Sequence, residues 1–255
     1  MKTKLGILLL ASIFIFAAAG LAEQLSQADS LFYQGNAHYS KEKFKQAIAD
    51  YEGTLTLGLE SGPLYYNLGN AYFKHGSLGK AVLNYLRAQR LMPRDADLNT
   101  NLKFARSLIK AEKVVSQRNW FTQMFFKLSG SFRLNELTSV STILYLGLAV
   151  LLILAIRIKK SRKLFLYISY PVLTGLVICA CLFFTQFYQT LICKQAVVVV
   201  KSSNSKFEPF DSATTYFTLY EGASVIITGS KGDWAKIRRL DGRGGWIKQS
   251  DIELL

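Results

Sequence analysis

The sequence is poor in the residues from which most catalytic and metal sites are built. Its 255 residues include only two histidines and three cysteines. We expect His38 to face the packing of a helix and His75 to lie in a turn between helices, with no cysteine or carboxylate cluster beside either. The sequence also lacks a glycine-rich phosphate loop and a dinucleotide-binding fingerprint. We therefore expect no catalytic residues, no metal site, no cofactor and a protein that is not an enzyme.

Acidic residues are scarce as well, and the resulting net charge of +14 at first suggests a nucleic-acid partner. The distribution of the charge along the chain argues against a nucleic-acid-binding protein. Residues 119–194, the most apolar third of the chain, carry eight cations and one acid, whereas residues 195–255 have a net charge of only +1. With 50% hydrophobic and 19% charged residues, most of the chain is not disordered. We expect no nucleic-acid partner.

The cysteines do not form a redox pair in this pattern. Cys179 and Cys181 are two residues apart in an apolar run, and residues at that spacing face different sides of a helix. We interpret them as apolar filling, and Cys193, at the end of the run, as the one thiol that could react.

The first of three long apolar runs predicts a signal peptide over residues 1–22. Lys2 and Lys4 precede an uncharged stretch that ends in Gly20-Leu21-Ala22, the small-x-small pattern of a signal peptidase site. An uncleaved membrane anchor is the alternative, and it gives the same topology.

The other two runs predict transmembrane helices over residues 137–156 and 164–190. A helix of about 20 apolar residues crosses a hydrocarbon core of about 30 Å, and the run LGLAVLLILAI lacks the polar face of a soluble helix. Five cations in residues 157–163 predict a cytoplasmic loop, which places both flanking regions outside the cytoplasm. The aromatic and basic segment 115–136 is expected to lie in the membrane interface, with a partner-binding helix as the alternative.

Residues 28–61 and 62–95 are related by an offset of 34, the period of helix-turn-helix repeats. The identities are Gly35 with Gly69, Asn36 with Asn70, Ala37 with Ala71, Ala47 with Ala81, and Tyr51 with Tyr85. The second copy resembles the tetratricopeptide pattern at Leu68, Gly69, Tyr72, Ala81, Tyr85, Ala88 and Pro93. In the first copy Gln34, His38, Thr54 and Leu59 replace the expected Leu, Tyr, Ala and Pro.

Two repeats rarely bury enough apolar surface by themselves, so we expect a capping helix over residues 96–113. Its apolar residues at helical spacing are Leu98, Leu102, Ala105, Leu108 and Ile109. The sequence thus predicts a tetratricopeptide repeat domain of five helices over residues 23–114.

Six residues on the first helices of the two repeats are predicted to line a partner-binding groove. They are Phe32, Asn36, Tyr39, Tyr66, Asn70 and Phe73. Paired asparagines can hold the amide groups of an extended peptide, and aromatic faces beside them can hold its apolar side chains. The alternative is that these residues only stabilise the fold.

Residues 195–255 change to short β-rich runs and predict a small β-barrel. The expected strands are Ala196–Val200, Ala223–Thr228, Trp234–Arg239 and Gly245–Lys248, with turns at 231–233 and 241–242. The turns Glu221-Gly222 and Gly232-Asp233-Trp234 and the strand Gly245-Trp246-Ile247 resemble bacterial SH3-like domains. Trp234 and Trp246 either form a peptide-binding face or complete the barrel core.

The order of these segments, together with YYNLGNAYFKHGSLGKAVLNYLRAQRLMPRDADLNTNLKFA, resembles the BatE-type proteins of the Bacteroides aerotolerance operon. The resemblance implies an inner (cytoplasmic) membrane protein with two spans and periplasmic N- and C-terminal domains. It also implies von Willebrand A-domain membrane proteins as partners, a more remote link to a MoxR-type ATPase, and a role in stress or oxygen tolerance.

We therefore expect a multidomain membrane protein with α-helical tetratricopeptide repeats, two transmembrane helices and a small all-β SH3-like barrel. The first hypothesis is a scaffold or adaptor, anchored in the lipid bilayer, that binds protein partners through its repeats. The alternative is an envelope sensor or anchor whose barrel binds the peptides of peptidoglycan.

Overall fold

The structure, a computed structural model, describes residues 2–110 and 119–255. These residues form eight α-helices and then one antiparallel sheet of seven strands. The helices are α1 (Lys2–Ser40), α2 (Phe44–Thr56), α3 (Gly62–Lys74), α4 (Leu78–Leu91), α5 (Ala96–Ser107), α6 (Trp120–Gly130), α7 (Leu134–Arg157) and α8 (Arg162–Phe187). The strands are β1 (Gln195–Val198), β2 (Ser202–Lys206), β3 (Thr215–Tyr220), β4 (Ser224–Lys231), β5 (Trp234–Arg238), β6 (Gly244–Lys248) and β7 (Ile252–Leu254). The expected order of a helical region, two long apolar helices and a small β domain is confirmed.

Helices α1 to α5 stack as hairpins around one apolar core, and their number agrees with the expectation for this region. The two hairpins, α1–α2 and α3–α4, close in the same way. A Cβ atom on Gly35 would lie 2.5 Å from the ring of Tyr51, and one on Gly69 would lie 2.6 Å from the ring of Tyr85. Only glycine permits this approach, so the 34-residue offset corresponds to a repeated packing contact.

The boundaries of α1 bear on the predicted signal peptide. This helix is continuous from Lys2 to Ser40 and passes through the expected cleavage site after Ala22. From Ala28 onwards its inner face packs against α2: Ala28 is fully buried, and Thr54 donates a hydrogen bond to its carbonyl oxygen at 3.4 Å. Cleavage after residue 22 would leave this packed part intact. The signal peptide stays a prediction.

The capping helix is shorter than expected, because α5 ends at Ser107 and Leu108 is its C-terminal cap. Leu98, Leu102 and Ala105 are buried as predicted. Leu108 is not buried: it follows the last residue of the helix, and its side chain is 49% exposed. Residues 111–113 of the predicted helix lie outside the described part of the chain.

Helices α7 and α8 are long and apolar enough to span a membrane. They pack against each other, and their outward faces expose large apolar side chains, among them Ile143, Ile156, Leu164 and Phe184. Helix α7 begins earlier than the predicted residue 137, because the Glu136 carboxylate accepts a hydrogen bond from the Arg133 backbone N–H at 3.1 Å. Helix α8 ends at Phe187 rather than residue 190, where the chain widens into a π-helical turn over Tyr188–Ile192.

The segment predicted to lie in the membrane interface, 115–136, contains helix α6, and residues 115–118 fall outside the described residues. Helix α6 packs against α8. Trp120, Met124 and Leu128 form an exposed apolar stripe along it, at a spacing of four residues. Such a stripe is compatible with the interfacial position expected from the sequence.

The sheet has the strand order β3-β2-β6-β5-β4-β1-β7. Strands β1, β4, β5 and β6 occupy the four predicted positions within a few residues, and Gly232 and Gly242 have positive φ angles in the two predicted turns. The prediction omits β2, β3 and β7. Strand β2 reads Ser-Ser-Asn-Ser-Lys, which has no β propensity of its own and becomes a strand by pairing with β3 and β6.

The sheet docks onto helix α4, a contact for which the sequence gives no signal. The carboxylate of Glu221 accepts a hydrogen bond from the backbone N–H of Gly79, in the first turn of α4, at 3.0 Å. A Cβ atom on Gly79 would lie 2.5 Å from the carbonyl oxygen of Val198, so glycine is required there. Val197 joins the core of the helical region. The β domain therefore supplies the N-terminal cap of α4, whose own cap residue, Ser77, makes no side-chain cap bond.

We predict that Glu221→Ala weakens this docking by about 1–3 kcal/mol, because it removes a buried charge-assisted bond and a helix cap. Amide hydrogen exchange of the solubilised full chain should accelerate in the first turn of α4. Lys201→Met is the control. Lys201 lies 2.7 Å from Glu221, but its side chain is 82% exposed, so we expect a change within about 0.5 kcal/mol. Unaltered exchange in Glu221→Ala would show that the carboxylate does not hold the sheet on α4.

Candidate partner-binding groove

The six predicted groove residues lie on α1 and α3, and all six are half-buried. The four aromatic ones pack against the edge of the helical core. Helices α1 and α3 are direct neighbours, because the Asn67 side-chain amide of α3 donates a hydrogen bond to Asn36 Oδ1 of α1 at 2.9 Å. The structure thus brings Phe32, Asn36, Tyr39, Tyr66, Asn70 and Phe73 to one side of the helical stack.

The two asparagines have the same hydrogen-bonding environment, one repeat apart. Asn36 Oδ1 accepts from the Tyr51 hydroxyl at 2.8 Å, in addition to the bond from Asn67. Asn70 Oδ1 accepts from the Tyr85 hydroxyl at 2.7 Å and from Asn101 Nδ2 at 3.2 Å. Sequence reasoning missed Asn67 and Asn101 as members of this network. They are separated by 34 residues, so extending the repeat comparison into α5 would have found them.

In this network each groove asparagine uses its side-chain oxygen for bonds within the protein and leaves its side-chain NH2 group free. Both lone pairs of the Oδ1 atom are used inside the protein, so the oxygen cannot receive a peptide N–H without breaking a packing bond. The Nδ2 groups of Asn36 and Asn70 donate to no atom in the part of the chain that the structure describes. The site therefore offers donors, and it can hold carbonyl oxygens.

Aromatic side chains flank these donors. The ring centroids of Phe32 and Tyr51 are 6.0 Å apart, and those of Tyr66 and Tyr85 are 6.1 Å apart, which repeats the same contact in the second hairpin. Phe73 packs on Phe104 at 5.8 Å, and Phe104 is 56% exposed. The aromatic surface therefore continues from α3 onto α5, where sequence reasoning placed no groove residue.

A cavity of about 180 Å³ opens between the asparagines, lined by Asn36, Tyr39, Tyr51, Asn67 and Asn70. Its walls are amides and phenols, with no charged side chain among them. Burial raises the pKa of Tyr51, and the neighbouring Tyr39 and Asp50 raise it further. Burial likewise raises the pKa of Tyr85. The lining is therefore neutral across the physiological range and suits an uncharged polar group, such as a peptide carbonyl, better than an ion.

The two tryptophans predicted for the barrel, Trp234 and Trp246, lie on the neighbouring strands β5 and β6. Trp234 is opposite Lys248, and Trp246 is opposite Lys236, so both tryptophans are on the same face of the sheet. That face is opposite the one that contributes Ala235, Ile237 and Ile247 to the apolar core of the β domain. Lys248 Nζ lies 5.7 Å from the Trp234 ring, and Lys236 Nζ lies 5.9 Å from the Trp246 ring. Trp234 is nevertheless only 9% exposed, which leaves Trp246 as the more accessible ring.

The remaining reactive residues are dispersed. His38 Nδ1 lies 2.5 Å from Asp50 Oδ2, and the pair joins α1 to α2 within the first hairpin. His75 is the C-terminal cap residue of α3. Cys179, Cys181 and Cys193 are free thiols. Among residues 2–110 and 119–255, no group of three or more His, Cys, Asp or Glu side chains could hold a metal ion.

No protein-family model matches the chain, and no curated protein matches it.

The buried tyrosines predict a loss of stability in alkali. Tyr51 and Tyr85 have folded-state pKa values above the ordinary value of 10.0, so the folded state keeps their protons more tightly than the unfolded state does. Their contribution is complete below pH 10 and is lost as the pH rises above it. We expect the unfolding free energy of the solubilised protein to fall above pH 10, and less steeply in Tyr51→Phe and Tyr85→Phe.

Tyr33→Phe is the control for this measurement, since Tyr33 is 68% exposed and its removal should leave the slope unchanged. If the free energy of unfolding fell equally steeply above pH 10 in all three variants, the loss would not come from the buried tyrosines. Tyr51→Phe and Tyr85→Phe should each also lower the free energy of unfolding by about 1 kcal/mol near neutral pH. The reason is that the hydrogen bond from the tyrosine hydroxyl to the asparagine oxygen is lost.

Proposed function

We propose that this protein is a membrane-anchored scaffold that holds an extended segment of a partner protein in the groove formed by α1 and α3. The observation that carries the proposal is the pair of free Nδ2 donors of Asn36 and Asn70, which occupy equivalent positions in two stacked hairpins and are flanked by aromatic rings. Nothing in the groove offers a nucleophile or a general base, so the arrangement supports binding.

The spacing of the donors fits the backbone of an extended chain. Packed helices lie about 8–10 Å apart, and Asn36 and Asn70 are on neighbouring helices. An extended chain advances about 3.1–3.4 Å per residue, so three residues span about the same distance. In the polyproline II conformation every third carbonyl points the same way. The groove would therefore hold carbonyls three residues apart, with side chains between them against Tyr66 and Phe73.

The anchoring of the groove also supports a scaffold. Arg94, which follows α4, forms an ion pair with Glu136 at the start of α7. The barrel, which follows α8 in the chain, docks on α4. The helical stack is thus tied to the two apolar helices from both sides, and a segment bound in its groove would be held in a defined orientation to the membrane.

Several finer proposals rest on the family resemblance. They are that the hairpins are tetratricopeptide repeats, that the sheet is an SH3-like domain, and that both lie in the periplasm while residues 157–163 face the cytoplasm. The proposed partners are membrane proteins with von Willebrand A domains, in a complex that serves oxygen or stress tolerance. Binding of cell-wall peptide by the barrel has less support, because Trp234 is almost fully covered.

The groove is tested by Asn36→Asp and Asn70→Asp in the full chain. Each change keeps an oxygen where Tyr51 or Tyr85 needs its acceptor, and replaces the free donor by a carboxylate oxygen that repels a carbonyl. We expect each to weaken capture of the partner from native membranes about tenfold, equivalent to about 1.4 kcal/mol. The measurement is affinity purification in mild detergent followed by quantitative mass spectrometry.

Gln34→Glu is the matched control, because it makes the same charge change on α1 at an exposed residue that faces another side of the helix. Alanine is a poorer choice at the groove positions, since it also removes the acceptor that fixes the tyrosine. If the Asp variants remain folded and recover the same partners in the same amounts as Gln34→Glu, the groove is not the binding site.

A further inference from the structure

A second cavity, of about 160 Å³, lies where the helical stack, the two long apolar helices and the sheet meet. The residues that line it come from α4, α6, α8, the π-helical turn after α8, and β1, and they include Arg90, Gly130, Gln186, Gln189 and Gln195. A cavity of about 150 Å³ holds a molecule the size of benzene. This one therefore has room for a small polar group.

Two side chains of the cavity carry buried polar atoms without a partner. The Gln186 side-chain NH2 group donates to the Phe132 carbonyl oxygen at 2.6 Å, and its Oε1 atom accepts from no donor among the described residues. Gln189 Nε2 is also buried and donates to no atom in the described part of the chain. Native proteins keep few such atoms, because burying a polar atom without a hydrogen bond is costly. A ligand that satisfies both atoms needs a hydrogen-bond donor and an acceptor.

Arg90 supplies a positive charge on the α4 side of the cavity. It donates to the Leu255 carbonyl oxygen at 3.1 Å, and no Asp or Glu side chain of the described residues forms an ion pair with it. Burial lowers the pKa of Arg90, and the charge of Arg87 lowers it further, so an anion beside Arg90 would be favourable. A phosphate group provides the negative charge together with acceptor oxygens for a guanidinium and an amide.

The α6 side of the cavity has the reverse polarity. Helix α6 ends at Gly130, and the C-terminal end of a helix carries a partial negative charge that attracts cations. The free Oε1 atom of Gln186 is an acceptor as well. A positively charged group with N–H donors therefore fits this side better than a second anion does.

The position of the cavity indicates where such a ligand comes from. Gln186 lies at the end of α8 that is remote from residues 157–163, and its partner Phe132 directly precedes α7. The cavity is thus at one end of both candidate membrane spans, the level at which lipid headgroups lie. Leu128 and Phe187, close in sequence to lining residues, are 45% and 37% exposed and offer apolar surface to acyl chains.

We propose that this cavity binds the phosphoethanolamine headgroup of a phospholipid, with the phosphate on Arg90 and Gln189 and the ammonium on Gln186 Oε1. The assignment rests on anchoring of the protein in a membrane by α7 and α8. It does not depend on the partner-binding groove, because no groove residue lines the cavity.

Native mass spectrometry of the full chain in detergent measures lipid binding directly. The probes are phosphatidylethanolamine and phosphatidylcholine with the same acyl chains. Phosphatidylcholine has the same phosphate and the same positive charge but no N–H donor for Gln186. We expect one phosphatidylethanolamine to bind about tenfold more tightly, the equivalent of one hydrogen bond to a charged group. Equal affinities would overturn the proposal, since the lipids would then only adhere to the apolar helices.

Arg90→Gln should weaken phosphatidylethanolamine binding about tenfold. Arg87→Gln is the matched control: it removes the same charge one turn earlier in α4 and an equivalent bond, to the Leu254 carbonyl at 2.7 Å, but Arg87 does not line the cavity. We expect a change within about twofold for the control. Equal losses in both variants would assign the effect to the docking of β7 and overturn the proposal.

Gln189→Glu tests the phosphate from another segment of the chain, and so keeps the test valid if Arg90→Gln does not fold. Its carboxylate would repel the phosphate, and we expect about tenfold weaker binding of phosphatidylethanolamine. Unchanged binding in a folded Gln189→Glu variant would contradict the assignment.

Two further probes separate the possible sources of the headgroup. Glycerophosphoethanolamine, which has the same headgroup without acyl chains, should bind at least about tenfold more weakly than the lipid, because the apolar contacts are lost. Equal binding would show that the ligand is a soluble phosphodiester and would overturn the lipid assignment. Phosphatidylglycerol has the phosphate without the ammonium, so tighter binding of this lipid than of phosphatidylethanolamine would overturn the role given to Gln186.

Discussion

The helical part of the molecule depends on a tyrosine that lies on a glycine of the preceding helix. Tyr51 and Tyr85 are almost fully buried, and each fills the space that Gly35 or Gly69 leaves open. The same tyrosines donate their hydroxyls to Asn36 and Asn70. One side chain thus closes the hairpin with its ring and fixes the amide of the groove with its hydroxyl. The groove donors are oriented as a consequence of core packing, which is why fold and candidate site repeat with the same period.

The second constraint is the cap that the β domain places on α4. A helix start whose own Ser77 makes no side-chain cap bond is a weak point, because its first N–H groups lack partners. Glu221 supplies one such partner from 142 residues further along the chain. The β domain packs against the helical stack at this point, and Val197 becomes part of the helical core. The helical stack and the β domain therefore share one packed contact at α4.

The sequence predicted those elements whose pattern is local and long. The offset of 34, the two uncharged runs and the β-rich runs each extend over enough residues to identify helices, candidate spans and four strands. Sequence patterns did not predict the features that depend on contacts between distant parts of the chain. Strand β2 is polar and forms by pairing, Leu108 leaves the apolar stripe because α5 ends before it, and the contact between Glu221 and Gly79 has no local pattern. Asn67 and Asn101 could have been predicted, because the repeat period of 34 residues continues into α5.

The groove is a surface whose hydrogen-bonding groups the fold leaves partly free. It presents the side-chain amide donors of Asn36 and Asn70 at the repeat spacing, and such donors suit the carbonyl oxygens of an extended polypeptide. At the β7 edge the carbonyl oxygens of Leu254 and Leu255 are already bonded within the chain, by Arg87 and Arg90. In the proposed function the two asparagine donors would bond the main-chain carbonyl oxygens of a partner, because their own oxygens are held by Tyr51 and Tyr85.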